Sequence, residues 1–545
     1  MRLHQNLLTA LNLTTRIFFS LLMILLSTGL DAQVTPAPDT LRLIEIIHGN
    51  SLRDRQLDSV HKIQTIAGNV KLKEGLTKFD CDSAIIRRPE NTMESFGNIH
   101  INDNDSIHTY SQYLKYTSID RIAHLTKSVR LTDNKGGTLI TEDLDYNLQT
   151  HIGNYRNGGR VLSGQTVLTS KEGIYNGDTR DVYFKKNVHL VDPKYNITTD
   201  SLLYNTYTQI ATFIAPTRIV NKDGSIVDTK AGSYNLKTGE AFFTGRTQFK
   251  DSLRSISSDR AALDDKNKLY QFEGHVKFVD SSNKVITVGN NLSYDGVKNT
   301  MLAYGKPVMI FYENNDSTYV AGDTLYSGLR KVDTTGKKMQ VKKEKLQGPV
   351  AVNASDTAIR YFLAFHHVRI FNDSLQAVSD SLYYSTEDST FRLFKDPVVW
   401  NDKTQVTGDT MYMMTKNRKP DHLYVFYNSL IVNKGAEGIY NQIGGRTLNG
   451  YFKDGNIDYI RVKGSPAESI YYPQDDDSAF VGMNRSSGDL IDIYFVNRAL
   501  NKVKFVNDVN GVMYPIRQIP DDKKELRGFL WQDKRRPKTK LELFE

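Results

Sequence analysis

The chain has 545 residues, one cysteine, and 70 Lys+Arg against 62 Asp+Glu, a formal charge of +8. A lone thiol excludes an intramolecular disulfide framework, so a packed core has to hold a protein of this length together. Spread so thinly, the positive charge does not make a nucleic-acid surface and favours anionic partners only modestly.

Residues 1–32 read as a secretory signal. Arg2 and Arg16 precede the apolar run 17–26 (IFFSLLMILL), and small or neutral residues lead to Ala32 as the cleavage point. The run is short for a membrane span and no later run approaches 18 apolar residues, so the mature chain is expected to be soluble or peripheral, a retained N-terminal anchor being the alternative. No cysteine stands directly after the cleavage point, which argues against a lipoprotein anchor.

From there a tyrosine recurs at intervals of about 29–32 residues: Tyr116, Tyr146, Tyr175, Tyr204, Tyr234, then Leu263, Tyr294 and Tyr326, and again Tyr384, Tyr412 and Tyr440. Each belongs to an apolar–x–Tyr strand entered by Asp or Ser, as in Asp200-Ser201-Leu202-Leu203-Tyr204, Asp323-Thr324-Leu325-Tyr326 and Asp380-Ser381-Leu382-Tyr383-Tyr384. The partner strand is Gly–x–Val–x–apolar: Gly68-Asn69-Val70-Lys71-Leu72, Gly97-Asn98-Ile99-His100-Ile101 and Gly274-His275-Val276-Lys277-Phe278. Both alternate with period two, so each unit of about 29 residues predicts two strands with one buried face. Turn signals fall between them at Asn176-Gly177, Asp223-Gly224, Asp295-Gly296 and Asp454-Gly455. The chain is therefore expected to be all-β. The recurring Asp or Ser is better read as shaping the turn into its strand than as catalytic, because an active site needs only one. The tyrosines read as wall residues, ring inside and hydroxyl on a partner.

Several segments break the pattern. Residues 331–345 (KVDTTGKKMQVKKEK) read as a solvated loop or linker, with head-group contact as the alternative. Asp475-Asp476-Asp477 lacks the glycine and glutamate of a calcium loop, and adjacent His366 and His367 on a strand would face opposite sides, so no metal is assigned. Cys81 reads as an isolated thiol. In the tail, 521–530 could form a short helix, and Lys534-Arg535-Arg536-Pro537-Lys538 reads as a solvated basic cluster or as a contact for an anionic membrane or a protein partner.

With these repeats the sequence resembles the OstA/LptA-type periplasmic lipopolysaccharide-transport family. Leu269-Tyr270-Gln271-Phe272-Glu273-Gly274-His275-Val276 and Ile63-Gln64-Thr65-Ile66-Ala67-Gly68-Asn69-Val70 are similar to that family's Phe-x-Gly-x-Val segment. The resemblance implies a tandem β-jellyroll open along one side and a non-enzymatic carrier located in the periplasm. It would hold the acyl chains of lipopolysaccharide in transit to the outer membrane. Edge-strand pairing with other transport proteins is implied, self-association stays open, and no cofactor is needed. The expected organisation is a signal (1–32), a first jellyroll module (33–330), a lysine-rich linker (331–347), a second module (348–514) and a basic tail (515–545). Inward Val70, Leu72, Ile99, Ile101, Leu202, Tyr204, Val276 and Phe278 are the candidates for the groove lining, a closed core being the plainer alternative for each. A β-solenoid adhesin or polysaccharide-binding protein is the rival reading. A polysaccharide-degrading enzyme lacks any carboxylate pair or triad standing apart from the repeats.

Overall fold

The computed structural model describes residues 43–313, 316–331, 358–416, 419–453, 456–496 and 499–545. The signal segment and most of the lysine-rich stretch lie outside these. The described residues are β-strand apart from turns and four short 3₁₀ turns near the C-terminus, and every strand pairing among them is antiparallel. A parallel β-helix, the usual form of a β-solenoid, is thereby excluded for these residues.

Two compact units are present, one taking residues up to 134 together with 142–152, the other 135–141 and 153–545. In the first, Lys62–Glu74, Thr77–Arg88, Thr92–Asp103, Ile107–Thr117 and Ile122–Asp133 pair in sequence order. In the second, the same plan continues through Asp181–Val191 and Tyr195–Asn205. Thr324–Lys331 pairs with Ala358–Phe371 from Thr324↔Phe365 to Lys331↔Ala358, so one antiparallel ladder joins the segments on either side of the lysine-rich stretch.

The long strands do not run straight. The register shifts between Ala67 and Val70, Phe96 and Ile99, Lys185 and Val188, Glu273 and Val276, and Phe365 and Val368. At each shift two successive residues take positive φ: Gly68 and Asn69, Gly97 and Asn98, Lys186 and Asn187, Gly274 and His275, His366 and His367. Such a β-bulge adds one residue to one strand and bends it. The glycine of the Gly–x–Val motif is thus the first residue of a bulge, where its missing Cβ removes the left-handed penalty.

The Asp that precedes each apolar–x–Tyr strand faces this bulge. Asn98 Nδ2 donates to Asp82 Oδ2 at 3.0 Å, His275 Nδ1 lies 2.6 Å from Asp259 Oδ2, His367 Nδ1 2.9 Å from Asp323 Oδ2, and Asn428 Nδ2 3.0 Å from Asp409 Oδ1. The Asp amides complete the contact, Asp259 N donating to Gly274 O at 2.9 Å and Asp323 N to His366 O at 3.0 Å. The recurring Asp is structural, but it clamps the neighbouring strand's bend across the ladder rather than shaping its own turn. At five clock positions the residue after the tyrosine makes the turn. Asn147, Asn176, Asn205, Asn235 and Asp295 each accept backbone N–H groups two and three residues on.

Within the second unit the bends become breaks. Residues 195–199 pair with Thr217–Asn221 while 202–204 pair with Ile210–Phe213. Two sheets diverge here. One runs through Gly232–Asn235, Glu240–Phe243 and Arg260–Asp264, the other through Ile226–Thr229, Thr247–Lys250 and Arg254–Ser258. Both rejoin on Leu269–Asp280. The turns at 192–194, 222–225, 251–253 and 281–284 form one free edge, and those at 206–209, 236–239, 265–268 and 296–299 the other.

Beyond residue 308 the strands carry apolar residues in succession, as in Val398-Val399-Trp400 and Leu430-Ile431-Val432, all buried. Val399 and Ile431 pack in the main interior cluster, whereas Val398 and Trp400 form a separate cluster and Leu430 and Val432 another. One sheet is therefore covered on both faces, which is what continuous apolar runs signify. Part of the outer cover is the C-terminal segment. Leu526 joins Leu430 and Val432, and Leu543 joins Val308, Ala321 and Phe371. Three buried glutamines hold it. Gln442 bonds Lys524 O (2.9 Å) and Leu526 N (2.8 Å), Gln405 bonds Leu530 O and Gln532 N (both 2.8 Å), and Gln376 Oε1 accepts from Arg536 Nε (2.8 Å). The basic cluster expected to be solvated is spent partly on the body of the protein, Arg535 Nη1 reaching Asp396 Oδ2 at 2.6 Å. Within 521–530 only a 3₁₀ turn at Asp521–Lys523 forms.

Two outcomes follow for urea denaturation. Gly274→Ala forces a side chain into φ +74° with its Cβ 2.7 Å from Asp259 Oδ2, and is expected to cost roughly 1–3 kcal/mol. Leu526→Ala is expected to cost about 2–5 kcal/mol, and to make the segment that follows Pro515 newly sensitive to limited proteolysis.

Candidate functional site

The interior of the first unit is sealed by polar bonds between its turn-bearing edges. Tyr116, near the 118–121 turn, donates to Glu74 beside the 75–76 turn, and Ser118 donates to the other Glu74 oxygen. Tyr146 repeats the contact on Asp103 at 2.8 Å, which also accepts from Thr77 Oγ1 at 2.9 Å. Glu74, Asp103 and both tyrosines are almost wholly buried. Burial, and then the Glu74 carboxylate, push the Tyr116 hydroxyl far above the usual phenol range, so it stays a donor.

In the second unit the partner of the clock tyrosine weakens and then disappears. Tyr204 reaches only Ser163 Oγ, at 3.3 Å. Tyr234, 5% exposed, lies edge-on to Tyr195 at 4.8 Å between ring centroids and makes no aligned hydrogen bond. A cavity of about 210 Å³ lies there between the two free edges, its floor formed by Ile219, Val227, Tyr234, Phe243 and Leu263. Lys194 and Lys222 line it from one edge, Lys266 and Lys268 from the other.

Further along, an apolar cavity of about 120 Å³ is lined by Ile256, Phe272, Phe278, Leu292, Met309 and Phe362, with Tyr294 and Tyr384 from the clock. Apolar cavities of about 150 Å³ stay dry and accept benzene-sized guests, so this one has room for part of an acyl chain. Phe243, Phe249 and Phe272 form an edge-to-face row with centroids 5.6 and 5.5 Å apart, leading from the floor of the first cavity to that of the second. Charge at the apolar cavity is held close. Arg254 Nε lies 3.2 Å from Asp280 Oδ2, both largely buried. Burial pushes the Asp280 carboxyl up, but Ser282, Asn283 and Arg254 together bring it below the usual range. Arg360 also lines this cavity, and burial lowers its guanidinium.

Of the expected lining residues, Val70, Leu72, Ile99, Ile101, Leu202, Tyr204 and Val276 are all at 2% exposure or less and sit in the packed interior. Phe278 lines the apolar cavity. The cationic edges, Arg254 and Arg360 were not singled out from sequence. Their signal was a lysine in turn after turn, which any solvated turn also shows.

Other candidates resolve as structural. His366 and His367 both occupy the bulge, both are exposed, and each has its own carboxylate, Asp380 at 3.2 Å and Asp323 at 2.9 Å. Asp475 Oδ1 is used on the amides of Asp477 and Ala479. Burial raises the Cys81 thiol to about 11, which leaves it unreactive at neutral pH. Among the described residues no helix is long and apolar enough to cross a membrane.

Comparison with known proteins meets this geometry. Residues 42–200 match the family described as OstA-like protein, and residues 151–250 match lipopolysaccharide-assembly, LptC-related. Together these matches span residues 42–250, less than half of the chain. No curated protein matches it. Among solved structures it is similar to LptH, the LptA-homologous periplasmic component of the lipopolysaccharide transport device of Pseudomonas aeruginosa. That similarity has 14% identity and a TM-score of 0.18, over 26% of this chain and 81% of that one. The OstA/LptA stretch contains both tyrosine–carboxylate seals, the diverging sheets and most of the lysine-edged cavity.

The corner clamps make a titration prediction. Asp380 is lowered from 3.8 to about 2, first by the Ser381 hydroxyl and then by His366 and Lys395. A depressed carboxyl stabilises the fold above pH 3.8, and that contribution is lost as pH falls through about 2. Carboxyl-detected NMR of Ser381→Ala should move the Asp380 midpoint back toward 3.8, and by more than His366→Ala does.

Proposed function

We propose that this protein is a non-enzymatic periplasmic carrier that shields lipopolysaccharide acyl chains in a β-jellyroll groove on the way to the outer membrane. The observation that carries the proposal is the apolar cavity between the free edges of two diverging sheets, in a protein with OstA/LptA sequence upstream of it. A saturated chain of ~12 carbons in water exposes apolar surface worth about 10 kcal/mol at ~0.8 kcal/mol per CH₂. A soluble carrier has to cover that surface continuously, and inward side chains at period two on paired sheets can do so. The two-strand repeat of about 29 residues is the building unit of the proposed jellyroll. Phe278 is assigned to direct lipid contact. Val70, Leu72, Ile99, Ile101, Leu202, Tyr204 and Val276 are assigned to the wall behind it, which opens to lipid only if the edges part.

Partners follow from the ends of the ladders. Ser51–Gln56 is exposed throughout and pairs with Lys62–Glu74 alone among the described strands, and Asn510–Pro515 is nearly as exposed. Edges of this kind accept a further strand, so other transport proteins or a second copy are proposed to add there.

Photocrosslinking tests the proposal. A benzoylphenylalanine probe at Phe278 or Met309 in cells should capture lipopolysaccharide at several times the yield of a probe at exposed Leu253. Equal yields at the three positions, or capture of a polysaccharide without lipid, would sink the carrier reading.

A further inference from the structure

The four lysines around the Tyr234 cavity are placed by turns that the sequence does not bring together. Lys194 follows Asp192-Pro193 in one turn, Lys222 opens the next on the same edge, and Lys266 and Lys268 belong to a turn on the opposite edge. Two carboxylates share the site, so four lysines stand against two acids and the lining keeps a cationic excess. Asp223 spends Oδ1 on the amide and hydroxyl of Ser225, at 2.9 and 2.7 Å. Asp265 is raised by burial, against Lys268 and Lys194. Lys194, Lys222 and Lys266 are exposed and make no ion pair among the described residues. Below them Tyr234 is nearly buried with its hydroxyl unmatched, at the repeat position where Tyr116 and Tyr146 each meet a carboxylate. A cationic rim above an unsatisfied donor, on an apolar floor leading to an apolar cavity, is a receptor for an anionic amphiphile.

We infer that this mouth binds the phosphate of a phosphorylated glycolipid head group, with Lys194, Lys222 and Lys266 as its cationic contacts and Tyr234 as a hydrogen-bond donor, while an acyl chain follows the Phe243–Phe249–Phe272 row into the apolar cavity. The inference rests on the carrier function proposed above. It adds a selection: the same site discriminates by head-group charge as well as by acyl length. At Tyr116 and Tyr146 the carboxylate bonds the tyrosine itself, whereas Asp192, at the matching place for Tyr234, is engaged by Thr166 Oγ1 at 2.8 Å and by the Lys194 amide at 3.0 Å, which leaves the Tyr234 hydroxyl for a phosphate.

The test compares the full mature protein with the variant Lys194→Gln/Lys222→Gln/Lys266→Gln. All three side chains are exposed, so thermal unfolding should be unchanged. The probes are bis-phosphorylated lipid A, the same lipid dephosphorylated, and inorganic phosphate. The native protein should prefer the phosphorylated lipid by about tenfold, as expected of a few exposed ion pairs. That preference should fall as salt rises from about 50 to about 200 mM. The variant should bind both lipids equally, at the native affinity for the dephosphorylated form. Millimolar inorganic phosphate should displace neither. No preference in the native protein, or an undiminished one in the variant, overturns the mouth and leaves the carrier standing. Efficient displacement by inorganic phosphate overturns the head-group assignment in favour of a free-anion site. If the native protein binds neither lipid, the carrier function fails and the mouth with it.

Discussion

A strand of ten residues or more can serve two sheets only if it bends, and the bend is what the rest of this structure depends on. Two successive left-handed residues supply it, and a carboxylate on the next strand holds them. Left-handed backbone is costly for any residue with a Cβ, so glycine often takes the first position and Asn or His the second. Where the bend becomes a break, the two halves of a strand such as Tyr195–Asn205 pair with different strands, and two sheets diverge. The clamp repeats because the bend repeats.

The same repeat position then decides whether the trough is shut. Where the clock tyrosine meets Glu74 or Asp103, a buried polar bond joins the edges. Breaking such a bond strands a carboxylate in a low-dielectric interior, so these segments are firmly closed. Where Ser163 replaces the carboxylate the bond lengthens to 3.3 Å, and at Tyr234 it is gone and a cavity stands in its place. Sealing and opening are thus alternative uses of one residue type, set by whether its hydroxyl bonds a group across the interior.

The all-β class is legible in the sequence, because period-two burial and turn-forming residues are local properties. So is the structural nature of the recurring Asp, though not its partner, since a clamp across a ladder depends on register. The bulge was half legible: Gly97 and Gly274 announce it, whereas Lys186-Asn187 and His366-His367 adopt the same conformation without glycine. Adjacent histidines were therefore read as an ordinary strand pair. The lysine edges escaped notice because proximity across a mouth is a tertiary fact. The basic tail was misjudged for the opposite reason. Its arginines look solvated in sequence, yet the buried glutamines that receive the segment lie more than a hundred residues upstream in two of three cases.

The C-terminal segment, which acts as a strap, and the open mouth are physically linked. A sheet whose free edge is not bonded to its neighbour loses the contacts that would keep it from flexing, and a trough that accepts a guest cannot restore them with its own core. The strands from Val308 onward carry a second apolar face, and the C-terminal segment covers part of it from outside. Packing removed from the inside is in this way supplied on the outside, where it does not compete with a ligand. The glutamines that fix the strap are apt for this role. A neutral amide bonds backbone in both directions without the desolvation cost of a charge, so Gln376, Gln405 and Gln442 can be buried at 5% exposure or less. Had the strap been held by salt bridges alone, its stability would have varied with the ionic conditions that also govern the cationic mouth; held by amides, it leaves the mouth free to respond to charge while the sheet stays in place.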